Sequence, residues 1–301
     1  MKIRDSFLTD PQQTPSAPLP RPIPRAERNT PEIVRERWAL LETDARVCAA
    51  LADDAALACM GLFERNIENF IGTVKLPVGL AGPLRVNGEY AQGNYYLPLA
   101  TTEAALVASY SRGAQLITEA GGCSTAVLAE RVSRAPGFAF ISLRQATEFV
   151  SWVVSQTEQF AQVAATTTRH GRLIGVRTTV EGNHVYVNFE FATGDAAGQN
   201  MVTLATAAIL QYVAESSPVK PKYFFIEANH SGDKKASAQS FSSVRGKRVS
   251  AEANIPRELV TARLHTSPEH MVDYWRMAAL GGVLSGTIGV QGQYANGLAA
   301  L

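Results

Sequence analysis

Cysteine and net charge are both scarce in this sequence, and each scarcity excludes a class of protein. The 301 residues include only three cysteines, Cys48, Cys59 and Cys123. Their odd number, wide spacing and lack of a CxxC pair argue against a disulfide scaffold and against a zinc site. The formal net charge is only +1, so charge gives no indication of a nucleic-acid or membrane-surface partner.

Long apolar runs are also missing. No run reaches the length of a membrane span, and residues 1–5 lack the hydrophobic core of a signal peptide. The composition is nevertheless 46% hydrophobic and 18% charged, which is enough to bury a sizeable core in one or two domains. The sequence therefore predicts an enzyme-sized globular protein of the cytoplasm, with no nucleic-acid, membrane or metal partner.

The first hundred residues divide by composition. Seven prolines between residues 10 and 31 predict an extended arm. Thr30 followed by Pro31 predicts a helix start, with helical patterning that continues to Leu41. Residues 68–99 are rich in glycine and proline, which predicts a loop-rich stretch with tight turns or close approach of backbone to a ligand.

The middle of the chain gives the clearest architectural pattern. Its alternating and helical periodicities predict, in order, strand 137–143, helix 145–165, strands 173–180 and 184–191, helix 197–215 and strand 222–228. This β-α-β-β-α-β order is that of a ferredoxin-like unit. We therefore predict an α+β fold with an arm at 1–30, a mainly helical large domain at 31–135 and 227–301, and an inserted small domain at 136–226.

Glu103 is the first candidate for chemistry. It lies in the segment Ala-Thr-Thr-Glu that opens a predicted helix over 101–120, so its carboxyl group is expected in the first helical turn. Ser109, Ser111 and Arg112 add a polar, basic patch farther along, and an acid/base group with an anion-binding partner is one interpretation. A capping carboxylate on an ordinary surface helix is the other.

Two segments near the second predicted helix of the insert are candidates for anion binding. Gly194–Met201 joins a strand to that helix, where free amides favour a pyrophosphate; a helix cap by Asp195 explains the segment equally well. Residues 166–170 combine three threonines with Arg169 and His170, which can bind a phosphate. A solvated turn is the alternative for the second segment.

The last candidate follows the final strand of the insert. Asp233, Lys234 and Lys235 are consecutive, and adjacent lysines beside an aspartate can hold a carboxylate and a developing oxyanion together. Asp233 is expected to keep one ammonium charged and oriented. A solvated charged loop is the alternative interpretation.

These segments together resemble the 3-hydroxy-3-methylglutaryl-CoA (HMG-CoA) reductase family. The resemblance covers about residues 60–301 and keeps the order and approximate spacing of the family. It rests on five blocks: Glu-Asn-Phe-Ile-Gly at 68–72, Leu-Pro-Val-Gly-Leu-Ala-Gly-Pro at 76–83, Ala-Thr-Thr-Glu at 100–103, Gly-Asp-Ala-Ala-Gly-Gln-Asn-Met at 194–201 and Asp-Lys-Lys at 233–235. It implies a ferredoxin-like cofactor domain, a homodimer or larger homo-oligomer with sites at the interface, and reduction of HMG-CoA to mevalonate and free CoA with two NADPH.

The resemblance also implies residue roles. Glu103 matches the catalytic acid, Lys234 the lysine that stabilises the oxyanion of the thioester and hemithioacetal stages, and Asn296 the asparagine that orients both. The hydroxymethylglutaryl group would be held by Arg134, Asp233 and Lys235. The expected CoA contacts are Ser109, Tyr110, Ser111, Arg112, Gly113, Ala114 and Gln115. The expected NADPH contacts are Thr168, Arg169, His170, Asp195, Ala196, Ala197, Gly198, Gln199 and Asn200, with Arg169 suited to the 2′-phosphate.

The chain departs from the family pattern in three ways, one of which is the stretch Gly-Val-Gln-Gly-Gln at 289–293 in place of a more usual Gly-Tyr-Asn-Ala-His. The printed sequence stops at Leu301, before the positions at which the family has a catalytic aspartate and the histidine that protonates the CoA thiolate. We expect a truncated sequence, or else an inactive paralogue, and little reductase activity from the chain alone. Glu227 stands where a substrate-contacting serine is usual, and a carboxylate there would repel an acidic acyl group. A non-catalytic homologue that binds acyl-CoA or NADPH, or pairs with an active subunit, is the alternative function.

Overall fold

The computed structural model describes residues 21–241 and 245–301. These residues form two compact units, one that ends at Pro77 and one that spans Val78–Leu301. The predicted proline-rich arm at 1–30 falls mostly on residues 1–20, which lie outside the described residues. The boundary between the units does not test the three predicted domain ranges, which stay a prediction.

The first unit is helical. Helix α1 (Pro31–Trp38) begins as predicted, since the Thr30 side chain accepts a hydrogen bond from the Ile33 amide and Pro31 occupies the first turn. It ends at Trp38, three residues earlier than predicted. Two short helices follow, α2 (Ala45–Leu51) and α3 (Asp54–Ala58). Val34, Trp38 and Phe70 form the buried cluster of this unit.

The second unit combines helices with one mixed sheet, so the predicted α+β class is confirmed. Its eight strands are β1 (Val78–Gly88), β2 (Gln92–Ala100), β3 (Cys123–Arg134), β4 (Gly137–Ala139), β5 (Arg172–Glu181), β6 (His184–Ala192), β7 (Tyr223–Phe225) and β8 (Gly246–Glu252). The sheet runs β2-β1-β3-β6-β4-β7, with β5 paired to β6 and β8 paired to β3. Strand β3 joins the two parts of the sheet, because its residues 123–131 pair with β1 and β8 and its residues 132–134 pair with β6.

The glycine- and proline-rich residues 68–99 are not mainly loop, and that prediction was wrong. Strands β1 and β2 form an antiparallel pair with an irregularity between Ala81 and Leu84. Gly79 serves packing rather than a turn, because a Cβ atom there would lie only 2.8 Å from a methyl group of Val107 on the covering helix. That helix, α4 (Leu106–Glu119), packs along β1.

The inserted segment has the predicted element order. Helices α5 (Leu143–Ser155) and α6 (Thr157–Ala165) replace the single predicted helix, and α7 (Gln199–Ser216) is the second. The strand order β5-β6-β4-β7 and the antiparallel pairs are consistent with a ferredoxin-like arrangement, in which the strands lie in the order 2-3-1-4. The first and last predicted strands of this segment are shorter than predicted, with three residues each at 137–139 and 223–225.

The largest core of the protein lies between this sheet and α5, α6 and α7. Its fully buried aromatic residues are Phe138, Phe140, Phe149, Phe160, Phe189 and Phe191. The predicted alternation of β6 places Val185, Val187, Phe189 and Phe191 in this core. The opposite face of β6 is covered too, because the Glu190 carboxylate lies beneath Arg131 and Arg177 and is only 5% exposed. Burial on this scale fixes the insert as a rigid platform for the segments at its ends.

Three helices complete the described chain. They are α8 (Arg257–Leu264), α9 (Pro268–Ser285) and α10 (Tyr294–Ala300). Helix α9 has no buried residue and exposes several large apolar side chains, among them Tyr274, Trp275, Met277 and Leu284. Across residues 21–241 and 245–301, no helix is both long enough and apolar enough to cross a membrane.

Candidate functional site

Glu103 lies just before a helix rather than inside one. Helix α4 begins at Leu106, and Ala105 has a left-handed backbone with φ of 64°. The expectation that Glu103 occupies the first helical turn is therefore wrong. Its amide instead donates to the Thr101 hydroxyl oxygen over 3.0 Å, a local turn that holds the exposed carboxyl group at the end of β2.

Helix α10 brings Asn296 to this carboxyl group. The Asn296 Nδ2 atom donates to Glu103 Oε2 over 2.8 Å across a separation of 193 residues. The helix packs tightly because Gly297 leaves room for the Tyr110 ring, whose hydroxyl would lie 2.0 Å from a Cβ atom at that position. The same hydroxyl donates to the Gln293 carbonyl oxygen over 3.1 Å. The structure thus joins two of the three predicted catalytic residues.

Lys234, the third, lines a polar cavity of about 410 Å³ at the start of α7. The cavity contains side chains from two segments that the sequence assigned to different ligands. Those expected to hold the acyl group are Arg134, Asp233 and Lys235, and those expected to contact NADPH are Gln199 and Asn200; Thr203, Glu227 and Ser231 complete the lining. The predicted substrate and cofactor segments therefore meet in one cavity.

Among the residues that the structure describes, the Lys234 ammonium is the unpaired cation of this cavity. Over the described ranges it makes no hydrogen bond or ion pair, and its backbone is left-handed with φ of 59°. The expectation that Asp233 orients a lysine is wrong for the described residues, because the partners of its carboxylate there are Gln199 and Arg245. Its carboxylate accepts a hydrogen bond from Gln199 Nε2 over 2.6 Å and lies 3.5 Å from the Arg245 guanidinium, while Lys235 donates to the Asn229 side chain.

Glu227 occupies the same cavity and is held from three sides. Its Oε2 atom accepts from the Ala135 amide over 3.2 Å and lies 3.5 Å from Arg134 Nη1. Its Oε1 atom accepts from the Ser231 hydroxyl over 3.2 Å. The Arg134 and Glu227 side chains are only 14% and 26% exposed, respectively, so this ion pair is shielded from bulk water and fixed in place.

The residues expected to contact CoA lie on α4 in two different surroundings. An apolar cavity of about 530 Å³ is lined by Ser109, Tyr110, Gly113 and Ala114, together with Leu84, Leu97, Ile117 and residues 292–294. Ser111 and Gln115 lie on another side of the helix and donate to the Gly82 carbonyl oxygen. Arg112 is exposed. Of the seven residues expected to contact CoA, only Ser109, Tyr110, Gly113 and Ala114 thus line this cavity.

The segment at the start of α7 forms a loop closed by glycine. Helix α7 begins at Gln199, and Gly198, with φ of 70°, is its N-cap; no side chain caps the helix. The alternative interpretation of Asp195 as the helix cap is therefore wrong. Residues 194–197 line a neighbouring cavity of about 340 Å³ with Arg131, Arg245 and Lys247. Glu130 also lines this cavity, and the three cations already pair with the carboxylates of Glu190, Asp233 and Glu130, respectively. The feature of this segment that favours an anionic ligand is therefore the uncapped start of α7.

The loop with Thr168, Arg169 and His170 lies against α7. The Thr168 hydroxyl accepts hydrogen bonds from the His170 and Gly171 amides over 3.2 and 3.0 Å. A Cβ atom at Gly171 would lie 2.5 Å from the Met201 sulfur atom, so the loop packs on the first turn of the helix. Arg169 and His170 are exposed beside it. The two segments assigned to the cofactor are thus adjacent.

Sequence reasoning missed several residues that build these sites. Arg245 pairs with Asp233, and Gly297 with Tyr110 sets the position of Asn296. The available signal was Gly297 itself, since a glycine inside a helix often marks close packing. Arg245 carried no such signal, because its pairing with Asp233 follows no helical or strand period in the sequence. The described residues contain no cluster of three or more His, Cys, Asp or Glu side chains able to hold a metal ion.

Comparison with known proteins identifies close relatives of the sequence. An archaeal 3-hydroxy-3-methylglutaryl-coenzyme A reductase from Pyrococcus horikoshii is 43% identical over 243 residues, which are 80% of this chain and 58% of the relative. The reductase of Methanothermobacter thermautotrophicus is 37% identical over 279 residues, 91% of this chain and 70% of that protein. The chain thus spans about 58% of the length of the Pyrococcus protein.

Solved structures show the same fold at lower identity. The class II 3-hydroxy-3-methylglutaryl-CoA reductase from Streptococcus pneumoniae, bound to NADPH in open conformations, matches with a TM-score of 0.56 at 17% identity. The match covers 85% of this chain and 65% of that one. The family model for hydroxymethylglutaryl-coenzyme A reductase matches residues 33–301. With most of its length matched, the chain belongs to the hydroxymethylglutaryl-coenzyme A reductase family.

Proposed function

We propose that this chain carries the substrate and cofactor sites of an NADPH-dependent oxidoreductase that reduces the thioester of HMG-CoA, or of a related acyl-CoA, to an alcohol and free CoA. The observation that carries the proposal is the cavity of about 410 Å³ in which Lys234 meets Gln199 and Asn200. Reduction by a nicotinamide requires donor and acceptor to lie side by side, because effective transfer depends on near-contact geometry. A cavity shared by the two predicted ligand segments supplies that arrangement.

Lys234 is the residue that we assign to the developing oxyanion. Its ammonium has no partner among the described residues, so binding a negatively charged oxygen breaks no existing hydrogen bond. Removal of one preorganised oxyanion donor typically costs roughly 2.7–4 kcal/mol of transition-state stabilisation. Lys235 and Arg134 lie in the same lining and are the cations assigned to the acyl group.

Glu103 and Asn296 form the acid side of the proposed mechanism. Glu103 is exposed and can exchange protons with solvent or substrate, and its Oε2 atom is held by Asn296. We assign to Glu103 the protonation of the reacting oxygen and to Asn296 the orientation of that carboxyl group. A fixed carboxyl group transfers a proton more effectively than a freely rotating one, since positioning is part of general acid catalysis.

The residues at the start of α7 fit a dinucleotide. The uncapped helix start at Gly198 suits a pyrophosphate, and the exposed Arg169 beside it suits a 2′-phosphate. Bound NADPH would supply the reducing equivalents, two molecules for each thioester converted to an alcohol. The apolar cavity beside Tyr110 suits the pantetheine chain of CoA. The pneumococcal relative that shares the fold is described as bound to NADPH, which supports this choice of cofactor.

We further propose that the protein works as a homodimer or a larger homo-oligomer. Helix α9 exposes a set of large apolar side chains, and a large exposed apolar surface is typical of interaction sites. Sedimentation velocity of the purified chain is expected to give a mass of at least two copies. A monomer at micromolar concentration would contradict this part of the proposal.

The proposal is tested first by binding. NADPH fluorescence and calorimetry with HMG-CoA are expected to show saturable binding of both ligands to the chain. Gln199→Ala should weaken NADPH binding, and it also removes the hydrogen bond to Asp233. Gln211→Ala, on the exposed far end of the same helix, is the matched control and should bind both ligands normally. Failure of the wild-type chain to bind either ligand would overturn the proposed function.

Catalysis is tested in a chimera that adds the remaining C-terminal residues of an archaeal relative. Glu103→Gln and Asn296→Ala should each lower the rate of NADPH oxidation with HMG-CoA. Because the two residues share one hydrogen bond, the double variant should lose less than the product of the two single losses. Glu89→Gln, an exposed control in the turn between β1 and β2, should keep its rate. A loss of rate in the double variant equal to the product of the two single losses would contradict a functional pairing of Glu103 with Asn296.

A further inference from the structure

The Glu227 carboxylate introduces a negative charge where the acyl group is proposed to bind. The cavity around Lys234 is lined by three cationic side chains and by the carboxylates of Asp233 and Glu227. Asp233 accepts a hydrogen bond from Gln199 inside the lining, and its cationic partner, Arg245, lies outside the lining. Glu227 is different, because its cationic partner, Arg134, belongs to the lining itself.

Glu227 cannot swing away from Arg134 without loss. Hydrogen bonds from the Ala135 amide and the Ser231 hydroxyl hold its two oxygen atoms in place. Ser231 is in turn fixed, since its carbonyl oxygen accepts from the buried Ser133 hydroxyl over 3.2 Å. A carboxylate with several fixed donors is a permanent feature of the cavity rather than a mobile surface group.

This arrangement changes what Arg134 can bind. A ligand carboxylate directed at Arg134 must compete with the Glu227 carboxylate for the same guanidinium group. Two carboxylates held close together also repel each other. A hydroxyl or amide group meets no such penalty, because it can donate a hydrogen bond to a carboxylate oxygen. The Lys234 ammonium remains available for a single developing oxyanion.

We propose that Glu227 is a specificity-determining residue that selects, at the Arg134 end of the cavity, a neutral hydrogen-bond-donating acyl group over a carboxylate. The preferred substrate class is then a short hydroxyacyl thioester of CoA with a neutral distal end. This inference rests on the proposed function, since it narrows the acyl group of the same site.

The test compares two ligands that differ in one charge. HMG-CoA and its terminal carboxamide have nearly the same shape, and their dissociation constants are measured by calorimetry on the full chain. The wild type should favour the carboxamide. Glu227→Gln keeps the size of the side chain and one acceptor oxygen, removes the charge and replaces the other acceptor with an amide donor. In this variant the ratio should shift toward the acid by roughly tenfold, as expected for a charge pair at partly shielded distance.

Two further variants make the result decisive. Glu215→Gln removes one negative charge at the exposed end of α7 and should leave the ligand ratio unchanged. Glu227→Ser, checked for folding by circular dichroism, removes the charge by truncation and should shift the ratio in the same direction as Glu227→Gln. Binding of both ligands with a ratio that neither Glu227 variant alters would overturn this inference and leave the proposed function intact. Binding of neither ligand by the wild type would overturn both.

Discussion

Gly198, beside the proposed cofactor site, is a position at which a single added methyl group is expected to destabilise the fold strongly. Its φ of 70° is left-handed, which costs roughly 1–2 kcal/mol for a residue with a Cβ atom. That Cβ atom would also lie 2.5, 2.8 and 2.9 Å from three side-chain atoms of the buried Thr193. Overpacking of this kind typically costs roughly 1–3 kcal/mol more. Gly198→Ala should therefore lower the free energy of unfolding by roughly 2–5 kcal/mol.

Gly194 provides the matched control. It has a left-handed φ of 58° in the same loop, but a Cβ atom there would meet nothing within 4 Å. Gly194→Ala should therefore cost only the backbone contribution of roughly 1–2 kcal/mol. Urea unfolding followed by circular dichroism measures both variants, and NADPH titration shows whether the loop still binds. Equal destabilisation by the two substitutions would refute the packing argument at Thr193.

Three other predictions concern charged groups. Lys234→Met in the chimera should lower turnover roughly 10²–10³-fold with little loss of HMG-CoA affinity. Lys222→Met, an exposed control, should keep the turnover of the unmodified chimera. Equal turnover in the two variants would contradict the oxyanion role of Lys234. Arg169→Ala should weaken NADPH roughly tenfold more than NADH, as fluorescence titration would show; equal weakening would contradict the phosphate contact. A hydrogen bond from Arg257 lowers the pKa of Glu269 to about 2, so the pair stabilises the fold above pH 4.5 and this contribution is lost as the pH falls toward 2. NMR titration of Arg257→Gln should give Glu269 a higher pKa, and an unchanged value would contradict the pairing.

The order of elements between residues 137 and 225 was predictable because its signals are local. The alternation of Val185, Val187 and Phe189 around polar residues marks a strand, and the turn at 181–183 marks a hairpin. Local patterning could not show that the polar face of β6 is covered as well. Glu190 is buried by Arg131 and Arg177, which lie on other strands, and such ion pairs between strands leave no periodic trace.

The first half of the sheet was missed for the same physical reason. The glycine- and proline-rich composition around Gly79 indicated a turn. Gly79 instead lies in strand β1, where a Cβ atom would clash with the Val107 side chain. The left-handed backbone of Ala105, which ends the loop after β2, runs against the intrinsic preference of alanine, so local propensity gave no sign of it. In the candidate site, Glu103 and the segments at 166–170, 194–201 and 233–235 were found from their residue types, whereas Asn296 came from the family resemblance. The contact of Asn296 with Glu103 depends on a fold that joins residues 193 positions apart.

The distribution of tryptophan gives the protein three separate optical reporters. Trp38 is buried in the first unit, where its ring nitrogen donates to the Ile71 carbonyl oxygen. Trp152 stacks on Tyr212 against the core of the insert, with ring centroids 6.2 Å apart. Trp275 is 60% exposed on α9. Replacing two of the three by phenylalanine leaves one emitter, so fluorescence can follow the melting of the first unit, the melting of the insert and the wetting of the α9 surface independently.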